Sequence, residues 1–156
     1  MVHGLFGFDN IGPVEYFYGI PSSLRSDGAK VYTVQVSAAN STEVRGEQLL
    51  TQVKQILAAT GAKKVNLMGH SHGGPTARYI AAVRPDLVAS VSTIAGVNKG
   101  SAVADILLKV APPGSLSNAV ISSVTNGLAT IINFLSGGRG LSQSSNAALV
   151  SLSTAG

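Results

Sequence analysis

Residues 65–76 read VNLMGHSHGGPT, a serine held between two histidines and bracketed by Gly69 and Gly73. Two of the chain's three histidines stand here, and they open two chemistries. Gly69-His70-Ser71-His72-Gly73 matches G-x-S-x-G, the arrangement that mounts a nucleophilic serine on a tight strand-to-helix turn. His70 and His72 also read as a His-x-His metal pair, but such a site needs a third ligand, commonly a carboxylate or thiolate. His3 is the remaining histidine, there is no cysteine, and no acidic residue lies within ten positions of the pair. No metal site is expected.

On the nucleophile reading the glycines have a steric purpose. A side chain two residues before or after Ser71 would collide with the packed turn, so both positions call for glycine. A helix after the turn brings N–H groups and a positive dipole end toward charge at the serine. Ester chemistry also needs donors for the oxyanion of the tetrahedral intermediate, and losing one typically costs about 10²–10³ in rate. One is the N–H after the nucleophile, here His72; the other comes from a loop after an earlier strand. His3-Gly4-Leu5-Phe6-Gly7 is such a loop, with Leu5 its expected donor. His70 is expected to orient or pack the elbow, because a ring adjacent to the serine is badly directed to take its proton.

These residues need a scaffold, and the hydrophobic pattern supplies one. Residues 30–36 (KVYTVQV) are β-branched and alternating, which predicts a strand. Residues 45–60 carry Leu49, Leu50, Val53, Ile56 and Leu57 at helical spacing and stop at Gly61. A second strand is predicted over 64–68, a helix over 75–83 ended by Arg84-Pro85, and a third strand over 87–94. Strand, helix, strand, helix, strand argues an α/β fold: a parallel sheet with helices on both faces. Ligands bind such sheets beyond the carboxyl ends of the strands, which is where residues 69–74 and His3-Gly4 fall. The chain is expected to begin inside a strand, and Met1-Val2-His3 carries no secretory leader pattern.

At 156 residues and 45% apolar the chain suits one compact domain. Its net charge is +4, but only 12% of residues are charged and the basic ones are scattered. Nucleic-acid binders cluster theirs, so no nucleic acid is expected as a partner. Residues 110–138 hold no charge at all. Leu116, Val120, Val124, Leu128, Ile131, Ile132 and Leu135 recur there at helical spacing. Eight polar residues in the twenty from Leu116 argue against a membrane span. An amphipathic helix, or two short ones, with its stripe toward the core is the default.

Four blocks, VHGLFGFDNIGPVEYFYGIPSSLRSDGAKVY, RGEQLLTQV, KVNLMGHSHGGPTARY and AAVRPDLVAS, together resemble the secreted triacylglycerol lipases of the Pseudomonas–Burkholderia–Acinetobacter type. The resemblance runs from Val2 to about residue 155. It implies an α/β-hydrolase fold, hydrolysis of acylglycerols at an oil–water interface, secretion, and dependence on a lipase-specific foldase. It assigns Ser71 as nucleophile and Leu5 and His72 as oxyanion donors, and it makes residues 113–135 a mobile amphipathic lid. Relatives read Gly-x-Pro-His-Lys/Arg-Gly-Ser after the third strand; here the histidine is replaced by Asn98, which receives no role. The triad order is serine, acid, histidine, and no histidine follows His72. Asp86 and Asp105 follow the serine, but neither suits the triad acid. The family's acid, histidine, calcium ligands and paired cysteines are therefore expected in a C-terminal half absent from these residues, leaving a partial hydrolase domain with no cofactor of its own and little activity. An esterase or acyltransferase for other esters, and a non-catalytic hydrolase-fold binding protein, remain the alternatives.

Overall fold

The computed structural model describes residues 1–138 and 140–156. Along the chain come a small antiparallel hairpin, β1 (Asn10–Ile11) with β2 (Val14–Glu15), then helices α1 (Ile20–Ser26) and α2 (Thr42–Thr60). Strand β3 (Val65–His70), helix α3 (Gly73–Val83), a 3₁₀ turn at Pro85–Leu87 and strand β4 (Val88–Ile94) follow. Three helices close the chain: α4 (Ala102–Val110), α5 (Leu116–Leu135) and α6 (Ser145–Leu152).

β3 and β4 pair in parallel, from Val65 opposite Val88 to His70 opposite Ile94. Val2 bridges in parallel to Gly69 on one side and Val34 on the other, so the chain does open within the sheet. The spatial order is residue 34, residue 2, β3, β4. Leu49, Leu50, Val53 and Leu57 of α2, with Ala77 and Ile80 of α3, close over Val2, Val34, Val36, Leu67 and Val88. Each fully buried side chain of this size contributes about 1.5–3 kcal/mol. Ser41 caps α2 by accepting from the Val44 N–H, and Gly61 ends it with φ 70°. The helix thus begins three residues before the apolar stripe announces it.

The strand expected over 30–36 forms one bridge, at Val34. Val34 and Val36 are buried as the alternation requires, but the backbone between and beyond them pairs with side chains. Gln52 of α2 accepts from the Gln35 N–H at 3.3 Å and donates to its carbonyl at 2.7 Å. Gln48 accepts from the Ser37 N–H at 2.7 Å. Asn133 of α5 accepts from the Ala38 N–H at 2.8 Å and donates to the Val36 carbonyl at 3.3 Å. Gln143 accepts from the Ala39 N–H at 2.9 Å. Side-chain amides stand where a neighbouring strand would be, so the backbone of residues 35–39 is paired without a ladder.

The charge-free segment is one helix, α5, of 20 residues. Its expected orientation is reversed. Leu116, Val120 and Val124 are 88%, 66% and 68% exposed, and Leu128, Ile131 and Leu135 are exposed too. The buried side instead carries Asn118, Ala129 and Asn133. Asn118 and Asn146 exchange amide hydrogen bonds at 2.8 and 2.9 Å, and Asn126 accepts from the Ser145 N–H at 2.6 Å. Periodicity locates a stripe without saying which side of it the chain needs. The amides do.

Asn133→Leu would leave the buried Ala38 N–H without its acceptor, while the Val36 carbonyl keeps Gln35 as a donor, at a cost of about 1–3 kcal/mol. The urea midpoint of the chain is expected to fall accordingly, while Ser123→Ala, on the exposed side of α5, leaves it in place. Equal midpoints would show that the amide does not hold this segment.

Candidate active site

Ser71 sits between β3 and α3 with φ 53°, one of three non-glycine residues in the left-handed region among the described residues. The others, Phe6 (φ 51°) and Ala95 (φ 47°), also follow sheet residues, so the strained backbone gathers at the carboxyl ends of neighbouring strands. Such a conformation costs about 1–2 kcal/mol per residue. Close packing maintains it. The Ser71 N–H donates to the Ile94 carbonyl at 3.0 Å, and the Ser71 carbonyl accepts from Gly74 at 3.0 Å. A methyl on Gly69 would run into the Gly73 carbonyl, and one on Gly73 into the Val2 carbonyl. Both elbow glycines are therefore required by backbone approach. The Ser71 hydroxyl makes no hydrogen bond among the described residues, so it stands clear of the turn.

The loop at residues 3–7 lies against this elbow. A methyl on Gly4 would sit 2.8 Å from Ser71 Cβ. The Phe6 N–H donates to the Ala38 carbonyl at 2.7 Å and the Gly7 N–H to the Gly4 carbonyl at 3.2 Å. The Leu5 and His72 N–H groups donate to no acceptor among the described residues. Two unpaired donors beside one free hydroxyl can receive a developing oxyanion.

The histidines divide by environment. His72 is fully buried at the N-terminus of α3, its Nε2 3.1 Å from the Thr42 hydroxyl and its Nδ1 without a partner among the described residues. Burial, with Arg45 and His3 nearby, lowers its pKa to about 2. His3 is equally buried; its Nδ1 donates to the Gly4 carbonyl at 2.9 Å while Nε2 accepts from the Val36 N–H at 3.3 Å. That tautomer is fully used as the neutral ring, and burial lowers its pKa to about 3. His70 is half-buried, with Nδ1 2.7 Å from the Tyr16 hydroxyl. No ring hydrogen-bonds Ser71.

Two residues passed over in the sequence hold the site together. Arg45 is completely buried and donates to the carbonyls of His3 (2.5 Å), Gly4 (3.4 Å) and Ser37 and to the Thr76 hydroxyl (3.3 Å). Burial lowers its pKa to about 9, so it is charged at neutral pH. Its signal was legible: Arg45, Leu49, Val53 and Leu57 recur every fourth residue, which puts a guanidinium on the buried stripe. Tyr16 is the other, hidden within an aromatic run whose rings give no hint of the hydroxyl's partner.

Neither acidic residue after the serine reaches it. Asp86 pairs with Arg84 at 2.6 Å, and the Asp105 carboxylate accepts from the Thr154 N–H and hydroxyl at 2.9 and 3.0 Å. Asn98 accepts from Arg78 at 3.3 Å and donates to the Thr93 hydroxyl at 3.2 Å. Among the described residues no three His, Cys, Asp or Glu side chains gather to hold a metal.

The family model of the alpha/beta hydrolase fold matches residues 1–154. The chain belongs to the alpha/beta hydrolase family. The chain is 61% identical to a triacylglycerol lipase of Vibrio cholerae over its whole length, covering 50% of that protein. It is 46% identical to a triacylglycerol lipase of Pseudomonas fragi over all of its residues and 53% of that protein. With one of Burkholderia plantarii it shares 50% identity over 99% of its residues and 44% of the relative. The chain thus spans about half the length of the curated relatives it matches. Among solved structures, a Bacillus licheniformis lipase in its mature form superposes at a TM-score of 0.63, at 20% identity, over 98% of this chain and 53% of that one. At that identity the likeness speaks for the fold.

The two neutral histidines make stability depend on pH. Their folded pKa values, about 3 and about 2, lie below the ordinary value of 6.5, so unfolding takes up protons below pH 6.5. The contribution of these two rings to stability should be level above that pH and fall as pH drops from 6.5 toward 3, by about 1.4 kcal/mol per unit for each histidine. Urea titrations at pH 7, 6, 5 and 4 check this, with His72→Gln expected to lessen the slope. A flat profile would contradict the burial of neutral rings.

Proposed function

We propose that the protein carrying these residues is a triacylglycerol lipase that works through a serine acyl-enzyme. The observation that carries the reading is Ser71, strained at the end of β3 with a free hydroxyl and two unpaired N–H donors, Leu5 and His72, packed around it. Ser71 Oγ attacks the ester carbonyl carbon as a general base takes its proton. The oxyanion is held by the Leu5 and His72 N–H groups; its collapse expels the glyceryl oxygen, which leaves protonated as the diacylglycerol alcohol. Water then attacks the acyl-enzyme, releasing the fatty acid and returning the proton to Ser71. The triad base and acid lie outside these 156 residues, so this stretch alone is expected to turn over ester weakly, since losing the base costs several orders of magnitude.

The outward stripe of α5 supports the substrate class. A row of apolar side chains from Leu116 to Leu135 is costly against water and favourable against a lipid surface. Residues 113–135 then act as a lid whose apolar side meets the oil phase. An enzyme for emulsified ester works where the emulsion is, so the reading includes export from the cell.

The test is turnover by the complete protein as tributyrin is raised through its solubility limit. The lipase reading expects a sharp rise on emulsification and loss of activity by at least about 10³-fold in Ser71→Ala. Saturation below the solubility limit would favour an esterase for soluble substrates, and undiminished Ser71→Ala activity would remove the serine mechanism.

A further inference from the structure

Tyr16 lies at the end of the hairpin, 55 positions before the nucleophile by number, yet its hydroxyl stands where the two halves of the site meet. It accepts from the Gly4 N–H at 3.2 Å and lies 2.7 Å from His70 Nδ1. A methyl on Gly4 would find this oxygen at 3.0 Å and Ser71 Cβ at 2.8 Å, so all three crowd one point. The ring is fixed from several sides, with centroids 5.9 Å from His3, 5.9 Å from Phe8, 4.9 Å from Phe17 and 5.7 Å from His70.

The loop around Leu5 is otherwise tied by its carbonyls and by the next amide. Arg45 holds the carbonyls of His3 and Gly4, and the Phe6 N–H is spent on Ala38. Tyr16 supplies the hold on the amide that precedes Leu5. A phenol has one proton to give and lone pairs to take another, so it can accept from Gly4 and still donate to His70. Phenylalanine fills the same space and does neither.

We propose that Tyr16 is a positioning residue for the oxyanion site: its hydroxyl couples the Gly4–Leu5 loop to His70, the residue before the nucleophile, and so sets the Leu5 N–H relative to Ser71. This rests on the ester-hydrolase reading of Ser71. The work of the hydroxyl is alignment, and its loss leaves Leu5 N–H present but free to drift. A misaligned donor should cost part of the 10²–10³ that a missing one costs, or about 10–100-fold.

In the complete enzyme, Tyr16→Phe is expected to lower kcat on an ester by about 10–100-fold, with KM and melting temperature nearly unchanged. In the 156-residue chain the same substitution should speed amide exchange at Gly4 by about tenfold or more, the amide having lost its acceptor. It should also shift the His70 Nδ1 resonance while protection at Val2 persists. An active wild type matched in kcat by Tyr16→Phe would overturn the proposal, as would a loss of activity accompanied by an equal loss of stability. An inert wild type would remove the ester-hydrolase reading instead; exchange at Gly4 then decides the hold of Tyr16 on the loop, and an unchanged rate overturns it.

Discussion

A single buried guanidinium joins the parts on which this site depends. Arg45 reaches from the first turn of α2 to the carbonyls of His3 and Gly4, to Ser37 beside the sheet and to Thr76 of α3. Three segments, at residues 3–4, 37 and 76, meet on one planar group whose donors point in fixed directions. A helix N-terminus is an unfavourable place for a cation, and burial raises the cost further. What offsets it is that all three guanidinium nitrogens bond neutral oxygens, with hydrogen bonds to a charged group each contributing about 1.5–3 kcal/mol. The same charge helps keep His3 and His72 neutral. The loop beside Ser71 is thus held from beneath by charge and from the side by backbone contact at Gly69 and Gly73.

Much of this was legible in the residues. The G-x-S-x-G spacing placed a turn where the structure has one, and the glycines proved to be where a methyl has no room. The α2 stripe, the α3 helix after the elbow and strands β3 and β4 followed from periodicity and from Pro85. The short elements did not: α1, α4, α6 and the hairpin are brief, and their patterns carry few repeats. α1 had a signal in Gly19 with φ 74° followed by Pro21 in the first turn, and α6 in the capping Ser144. That residues 30–36 form no ladder was not legible, because alternation reports burial while pairing depends on what lies alongside. Gln48, Gln52 and Asn133 fill that role from helices distant in sequence.

α5 reverses the usual economy of an amphipathic helix. Its amides, not its apolar stripe, attach it to the domain, and they do so by directional bonds to the 142–146 segment and the edge of the sheet. Ala129 packs with Ala38, Ala39 and Ala148, next to Leu5 and Phe6, so the helix also rests on the loop that carries a free N–H. Small apolar contacts and amide pairs can separate and re-form more readily than an interdigitated core. α5 and the loop that would hold the oxyanion therefore share one seam.

The central claim is that Ser71 is a nucleophile already seated in this half of the fold. Covalent trapping tests it most directly: the complete protein is treated with an alkyl phosphonate ester, digested, and the modified peptide identified by mass. The account predicts one phosphonyl group per molecule, on the peptide holding GHSHG, and none in Ser71→Ala. Modification at another serine, or none at all while ester hydrolysis proceeds, would contradict it.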